Sequence, residues 1–190
     1  MKHIKKVVCA VSVIVALITG GVVHQGDKAV GNVVIDGQSL GSLSVSQDGL
    51  LLIANAEGCR QDPYRCPADL LTNGIGNTVK VTGKTITQQQ VAKDFVRNVQ
   101  AAEQCINQLA PTTPNQGQYD AFVSFVFNTG CTRFQRNRDG TSTTIGKLVK
   151  QGNYAAACRE LPRWVYGGGK KLRGLVTRRG HEYDRCMAVD

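Results

Sequence analysis

Three side chains that could do chemistry together lie in one short, turn-rich stretch of the chain. Glu57 carries a carboxylic acid, Cys66 a thiol and Thr72 a hydroxyl, all within residues 57–78, EGCRQDPYRCPADLLTNGIGNT. Cleavage of a glycosidic bond needs one acid that protonates the leaving oxygen and a second group that delivers water to the sugar. A thiolate can orient or deprotonate that water, and a hydroxyl can hold it from the other side. The stretch therefore predicts a catalytic cleft.

A helix must place the carboxyl group of Glu57. Ser46 is a favourable N-cap for an apolar run over residues 47–56, and Gly58 is positioned to stop the helix just after Glu57. Residues 62–84 alternate short β-prone pieces with Pro, Gly, Asn and Asp, which is typical of a small antiparallel sheet with tight turns. We expect Glu57 at the junction of helix and sheet, with that sheet as one wall of the cleft.

The rest of the chain is predicted to be almost entirely helical. Apolar residues recur every three or four positions after Thr87, which begins a long helix that Pro111 ends. The near-continuous apolar run at 119–128 indicates a central, buried helix. A small sheet beside a helical majority is an α+β architecture. Three more helices are expected at 142–150, at 154–161 and, rich in basic residues, at 172–187.

The size and charge of the chain limit the classes of function. It has 190 residues and a formal net charge of +9, which suits one domain and favours an anionic polymer or surface as its partner. Aromatic residues make up 6% and no aromatic-basic RNA signature is present, so a nucleic acid is not the expected partner. No metal or other cofactor is expected, because CxxC pairs are absent and the histidines lie far apart in sequence. These histidines are His3, His24 and His181.

The cysteines indicate an oxidising compartment, because seven of them in so short a chain are unusual for a reduced one. Their odd number leaves at least one thiol outside any set of intramolecular pairs. The sequence alone permits several pairings. The cysteines are Cys9, Cys59, Cys66, Cys105, Cys131, Cys158 and Cys186.

The N-terminus has the pattern of an export signal. An uncharged stretch at 7–23, VVCAVSVIVALITGGVV, follows Lys2, Lys5 and Lys6. Its length is near the lower limit for a membrane span, and its small residues weaken insertion. It could be a cleaved signal peptide, a permanent anchor or a retained segment that can leave the membrane. Residues 24–45 lack a helical period and read as a linker or a weak pair of strands.

Several motifs follow one another in a specific order. Glu57, Gly58 and the basic Arg60 are followed by DPY at 62–64 and by TNGIGN at 72–77. Further along the chain come FVSFVFNTG at 122–130, the Arg163-Trp164 pair and RGLVTRRGHE at 173–182. From about residue 46 to the C-terminus, this order resembles the phage-type lysozymes, glycoside hydrolase family 24. The resemblance implies a lysozyme-like α+β fold with a small antiparallel sheet lobe and a mainly helical lobe. The expected divisions are a membrane segment at 1–23, a linker at 24–45 and a lysozyme-like domain at 46–190.

The resemblance assigns roles to the three chemical side chains. In the family's catalytic triad, the Glu is followed nine residues later by an Asp and six after that by a Thr; here Glu57 and Thr72 match, but Cys66 stands in the Asp position. A subset, the signal-arrest-release endolysins, is similar in having a Cys there and in keeping an uncleaved N-terminal membrane segment. Asp62 and Asp69 remain alternative sources of a second carboxylate, although their spacing differs from that of the family.

The resemblance also implies that a disulfide controls activity. While residues 7–23 are in the membrane, Cys59 and Cys66 are expected to be joined, which inactivates the enzyme. After release, Cys9 attacks Cys59 and expels Cys66 as a thiolate. The odd cysteine count and the position of Cys9 agree with this independently. Alternatively, Cys9 is only a small membrane-embedded residue and the Cys59–Cys66 bond is permanent. The expected structural disulfides are Cys105–Cys131 and Cys158–Cys186.

The function that the resemblance implies is that of a muramidase. It would hydrolyse the β-1,4 bond between N-acetylmuramic acid and N-acetylglucosamine in peptidoglycan and so lyse the host cell. Export by the host machinery, a stage on the inner membrane facing the periplasm and a later soluble, monomeric stage in the periplasm are also implied. A lytic transglycosylase and a non-catalytic wall-binding protein stay open as alternatives. A basic cluster could hold the anionic wall or form a solvated helix face: Lys170, Lys171, Arg173, Arg178 and Arg179.

Overall fold

The computed structural model describes residues 6–21, 28–66 and 69–188. The expectations for Lys2, Lys5, His3, His24 and the end of the predicted membrane segment lie outside these ranges. The helices are α1 Val11–Thr19, α2 Gln47–Glu57, α3 Gln88–Leu109, α4 Gln116–Thr129, α5 Cys131–Gln135, α6 Thr144–Lys150, α7 Tyr154–Glu160 and α8 Arg173–Met187. The strands are β1 Ala29–Ile35, β2 Gln38–Ser46, β3 Arg60–Arg65, β4 Leu71–Gly74, β5 Tyr166–Gly167 and β6 Lys170–Lys171.

The helical lobe is built around α4, as its apolar run predicts. Its segment 119–126 is buried throughout, and α4 packs against α2, α3 and α8. The predicted helix starts are confirmed by their caps: the hydroxyl of Ser46 accepts the N–H of Gly49, and that of Thr87 accepts the N–H of Gln90, both at 3.1 Å. The lysozyme-like α+β architecture is therefore observed, with small antiparallel sheets beside a helical lobe.

Residues 29–45 belong to the folded body and are not a linker. β1 and β2 form an antiparallel hairpin in which Val33 and Val45 are fully buried. The carboxylate of Glu103 on α3 accepts the N–H groups of Ser44 and Val45 at 2.7 and 2.8 Å, which fixes the hairpin to the helical lobe. The weak pair of strands, one of the two alternatives for this stretch, is therefore correct. Packing against α3 supplies the stability that its Gly-rich and Ser-rich sequence does not.

The described part of the N-terminal hydrophobic stretch lies on the protein. α1 packs against α2, α3 and β1, and Ile14, Val15 and Ile18 are buried in the core. The exposed side of this segment includes Val8 and Val13. Within residues 6–21, 28–66 and 69–188, no helix has both the length and the apolar character that crossing a membrane requires. In this structure, one apolar face of α1 is therefore covered by protein and the other is exposed.

Two disulfides staple the helical lobe. Cys105 on α3 is bonded to Cys131 at the start of α5, and Cys158 on α7 is bonded to Cys186 on α8. These are the structural pairs that the resemblance implies. Each joins helices that are neighbours in space, and together they hold the helices that surround α4.

Candidate active site

Glu57 is the last residue of α2, as its position before Gly58 predicts. Gly58 ends the helix with a φ of +72°, a conformation that glycine adopts without the strain a side chain would bring, and its N–H is donated to the carbonyl of Ala54. The side chain of Glu57 is 21% exposed and borders a cavity of about 800 Å³ between α2 and α8. Leu52, Asn128, Leu175 and His181 also line this cavity.

The β3–β4 hairpin presents the other two predicted side chains. Tyr64 lies opposite Thr72 in the antiparallel register, and the N–H of Cys66 continues the pairing by donating to the carbonyl of Leu70 at 3.0 Å. Because side chains alternate along a strand, Tyr64, Cys66 and Thr72 belong to the same face of the hairpin. Thr72 is buried, and its hydroxyl donates to the carbonyl of Leu70 at 3.0 Å. Cys66 is partly exposed.

Tyr64 links this face to Glu57. Burial raises the pKa of the Tyr64 phenol, and the charges of Glu57 and then Cys66 raise it further. The charges of Glu57 and Cys66 thus both act on Tyr64, and Thr72 lies opposite this tyrosine in the neighbouring strand.

The turn after β4 passes directly behind the Glu57 carboxyl. Asn73 and Asn77 exchange both backbone hydrogen bonds, which closes a turn around Gly74-Ile75-Gly76. This is the hairpin turn that the glycine spacing predicts. Gly76 has a φ of +62°, and a Cβ atom placed there would lie 3.0 Å from Oε2 of Glu57. The positive φ favours glycine, and a side chain there would also force the Glu57 carboxylate to shift by a few tenths of an ångström.

Arg178 on α8 holds the other carboxyl oxygen. Its Nη1 donates to Oε1 of Glu57 at 2.5 Å, and the guanidinium is only 6% exposed. Arg179 is 1% exposed, so neither arginine forms the solvated helix face considered for the basic cluster. Sequence reasoning missed the role of Arg178 beside Glu57, although the four-residue spacing from Arg178 to Glu182 is a signal that could have indicated an ion pair on α8.

The two aspartates considered as substitutes are engaged elsewhere. Asp62 is 2% exposed, and its carboxylate accepts hydrogen bonds from Nε of Arg60 at 2.9 Å and from the N–H of Val7 at 2.7 Å. The hydrogen bond from Arg60 lowers the pKa of Asp62 to about 2, helped by the one from Val7 and opposed by burial. Asp69 is exposed and pairs with Arg65 at 3.1 Å. Both aspartates thus already have charged partners, and the role of Cys66 at the family's second catalytic position stays a prediction from the sequence spacing.

The N-terminal segment reaches this site covalently. Cys9 is bonded to Cys59, two residues after Glu57, and Cys66 keeps its thiol. Residues 7–9 also lie along β3: the N–H of Gln61 donates to the carbonyl of Val7 at 2.8 Å, and the N–H of Cys9 donates to the carbonyl of Cys59 at 3.3 Å. A permanent Cys59–Cys66 bond, considered as an alternative, is not present in this structure.

The site offers acids, hydroxyls and a thiol and contains no evident metal centre. Within the described ranges, no three His, Cys, Asp or Glu side chains come together as a metal site needs. Its groups suit proton transfer and the orientation of a water.

The chain is similar in sequence to known phage proteins. Residues 54–182 match the sequence model of the phage lysozyme family. The SAR-endolysin of Escherichia phage P1 is 37% identical over 188 residues, which cover 95% of this chain and 91% of the phage protein.

Two crystal structures of P1 phage endolysin Lyz are also similar to this chain. Its active form matches with a TM-score of 0.77 and 35% identity, over 95% of each chain. Its secreted inactive form matches with a TM-score of 0.52 and 40% identity, over 75% of this chain and 95% of that one. The likeness to the active form therefore extends further along the chain.

Proposed function

Because the chain belongs to the phage lysozyme family, we propose that it is an endolysin, a muramidase that hydrolyses the β-1,4 bond between N-acetylmuramic acid and N-acetylglucosamine in peptidoglycan. The observation that carries this proposal is the setting of Glu57. Its carboxyl group borders an open cavity, bound by Arg178 on one side and backed by Gly76 on the other. The formal charge of +9 favours contact with an anionic wall.

Glu57 is the general acid of the proposed reaction. It donates a proton to the glycosidic oxygen as the bond to the sugar breaks and an oxocarbenium-like charge develops on the ring. Cys66, as thiolate, and Thr72 orient a water that attacks the anomeric carbon from the opposite face, which inverts the configuration.

Activity is controlled by a thiol–disulfide exchange. In the membrane-tethered precursor, thiol oxidants of the host periplasm join Cys59 to Cys66, and the catalytic thiol is consumed. After the N-terminal segment leaves the membrane, the Cys9 thiolate attacks the sulfur of Cys59. The Cys59–Cys66 bond breaks, the Cys9–Cys59 bond forms and Cys66 leaves as a thiolate, so the number of disulfides is unchanged and no further oxidant is needed.

Three observations support this activation. The Cys9–Cys59 bond and the Cys66 thiol are the products of the proposed exchange. The docking of residues 7–9 along β3 brings Cys9 next to Cys59, and the carboxylate of Asp62 accepts the N–H of Val7 and strengthens that docking. The apolar face of α1 is buried against the helical lobe, which offers the segment an alternative to lipid. The proposed place of action is the periplasm.

The test of the proposed activity is Glu57→Gln in the released protein. Loss of the acid proton is expected to reduce muralytic activity by about 10²-fold or more, while wall binding is unchanged. Glu160→Gln is the matched control, because Glu160 pairs with Arg163 on a helix outside the cavity. Full activity of Glu57→Gln would contradict the proposal.

The reaction products distinguish hydrolysis of the glycosidic bond from its cleavage by a lytic transglycosylase. Cys66 replaces the family's second carboxylate, and a lytic transglycosylase needs only one acid, since the muramyl 6-hydroxyl replaces water. Mass spectrometry of the released muropeptides is expected to find reducing ends. Fragments with 1,6-anhydro ends would identify the enzyme as a transglycosylase instead.

A further inference from the structure

A buried group of charged side chains on α8 is linked to Glu57 through Arg178. It consists of Arg178, Arg179 and Glu182 on α8, here called the α8 charge cluster, whose side chains are 6%, 1% and 0% exposed. Charged residues are rarely buried this completely unless they are paired, because removal from water costs several kcal/mol for each ion. The ion pair between Glu160 and Arg163 on the same lobe is more typical, because the Arg163 side chain is 72% exposed to water.

Glu182 organises this cluster. Its Oε1 accepts from Nε of Arg178 at 3.1 Å and from the hydroxyl of Ser124 at 2.8 Å, and its Oε2 accepts from Nη1 of Arg179 at 2.5 Å. Both oxygens act only as acceptors, which is the pattern of an ionised carboxylate. Burial raises the pKa of Glu182, but the guanidinium groups of Arg179 and Arg178 act against that rise.

The contacts of Arg178 show what Glu182 controls. The guanidinium of Arg178 binds along three directions: Nε to Glu182, Nη2 to the carbonyl of Ser124 at 3.2 Å and Nη1 to Glu57. A planar guanidinium held at two of these points has its third direction fixed. Glu182 thereby directs Nη1 of Arg178 at the catalytic carboxyl group.

The net charge of the α8 charge cluster is a second way in which Glu182 acts on the site. The cluster contains two positively charged arginines, whereas a general acid must hold its proton until the bond breaks. The charge of Glu182 cancels one of the two positive charges. The other groups that line the cavity beside Glu57 come from different elements, Asn128 from α4 and His181 from α8. The charge of Glu57 also acts on Tyr64 of the β3–β4 hairpin.

We propose that Glu182 is a positioning residue of the muramidase reaction, which orients Arg178 towards Glu57 and balances the charge of the two arginines of the cluster. This inference rests on the proposed role of Glu57 as general acid. It extends the site from the residues that line the cleft to a buried group on the far side of Arg178.

The test is a titration of the Glu57 carboxyl by ¹³C NMR in the released protein, with the signal assigned through Glu57→Gln. In Glu182→Gln, the midpoint is expected to fall by about one pH unit or more, the effect of losing one unit charge within roughly 12 Å at an effective dielectric constant near 20. The limb of the kcat/KM profile that follows this titration moves with it. A merely structural role of Glu182 would lower the activity without moving the midpoint.

Glu103→Gln is the matched control. Glu103 is a second buried glutamate, 5% exposed, whose Oε1 accepts two backbone N–H groups of β2 on the side of the lobe away from the cavity. The same amide substitution there is expected to leave the Glu57 midpoint unchanged. An equal shift in both variants would overturn the inference.

Arg179→Met keeps the proposal testable if Glu182→Gln fails to fold. Nε of Arg179 is buried without a hydrogen-bond partner, and its guanidinium lies over the ring of Phe125, a contact that a methionine sulfur can replace. Removing this positive charge is expected to raise the Glu57 midpoint. The Glu182→Gln, Arg179→Met double variant is expected to return it towards the parent value, and a midpoint that stays constant through the series would overturn the inference.

The two proposals fail in different ways. The midpoint is measured without activity, so it tests Glu182 even if the wall is cleaved by another mechanism. Loss of muralytic activity in Glu57→Gln, combined with an unchanged midpoint in Glu182→Gln and Arg179→Met, would leave the proposed function in place and remove the role of Glu182. Retained activity in Glu57→Gln would remove the proposed function itself.

Discussion

Cys9 is bonded to Cys59, and this bond connects the segment that precedes α1 with the loop that follows Glu57. The two cysteines are 50 residues apart along the chain, yet the end of α2 at Glu57 and the hydrophobic N-terminal segment meet at the β3 edge. Any change that moves the N-terminal segment therefore acts on the backbone next to Glu57.

Cys9→Ser is expected to keep the released enzyme inactive, because no thiol is then available to displace Cys66 from Cys59. Lysis of producing cells and muralytic activity of the purified protein measure this. The Cys9→Ser, Cys59→Ser double variant is the control: it has no partner that can trap Cys66, so activity is expected to return. Full lysis by the Cys9→Ser single variant would contradict the exchange.

Cys66→Ser is expected to reduce muralytic activity by about 10²-fold or more, because a serine hydroxyl is a much weaker base than a thiolate. Cys66→Asp restores the carboxylate of the family and is expected to be active without any disulfide exchange. Asp69→Ala, on the same hairpin, is expected to have the parent's rate. The opposite result, a fully active Cys66→Ser and an inactive Asp69→Ala, would assign the base to Asp69.

Asp62 is expected to make the stability of the released form depend on pH. Its pKa is held at about 2, below its ordinary value of 3.8, chiefly by the hydrogen bond from Arg60, with Val7 adding to it. A lowered pKa stabilises the fold above pH 3.8, and this stabilisation is lost as the pH falls through about 2. Urea unfolding should therefore separate the parent from Asp62→Ala above about pH 4 and bring them together near pH 2.

The matched control for Asp62 is Asp69→Ala. The Asp69 side chain is 84% exposed, and its pair with Arg65 lies in water. Its removal is expected to leave the pH dependence of unfolding unchanged, since exposed ion pairs contribute little. Equal pH dependence in the parent and in Asp62→Ala would show that the pKa of Asp62 is not lowered in the folded protein by Arg60 and Val7.

Ile14→Ala is expected to lower the unfolding free energy of the released form by about 2–5 kcal/mol, the usual effect of truncating a buried aliphatic side chain. Ile14 is fully buried in the core although it belongs to the hydrophobic N-terminal stretch. Val13→Ala, at a neighbouring position that is 40% exposed, is the control and is expected to change little. Equal effects of the two substitutions would mean that α1 does not pack as described.

Local signals made much of this fold predictable. The caps at Ser46 and Thr87 and the helix stop at Gly58 depend on groups within four residues, so the sequence alone reveals them. The same holds for the turn around Gly74-Ile75-Gly76. Glu57 could be placed at the end of a helix for this reason, before any fold was known.

Long-range contacts account for what the sequence did not reveal. Arg178 binds a carboxylate 121 residues away, and the local spacing to Glu182 indicates an ion pair on α8 but does not reveal the contact with Glu57. The β1–β2 hairpin likewise depends on Glu103, 58 and 59 residues further along the chain. The position of Cys9 on β3 depends on where the N-terminal segment lies, which a sequence pattern describes only as apolar.

The most direct test of the proposed disulfide exchange is non-reducing peptide mapping of the membrane-bound and the released protein by mass spectrometry. We expect a peptide pair joined by Cys59–Cys66 in the membrane-bound form and one joined by Cys9–Cys59 in the active released form. The Cys105–Cys131 and Cys158–Cys186 pairs serve as internal references and should be the same in both. A Cys9–Cys59 bond already present in the membrane-bound form, or a Cys59–Cys66 bond in fully active released enzyme, would contradict the proposed disulfide exchange.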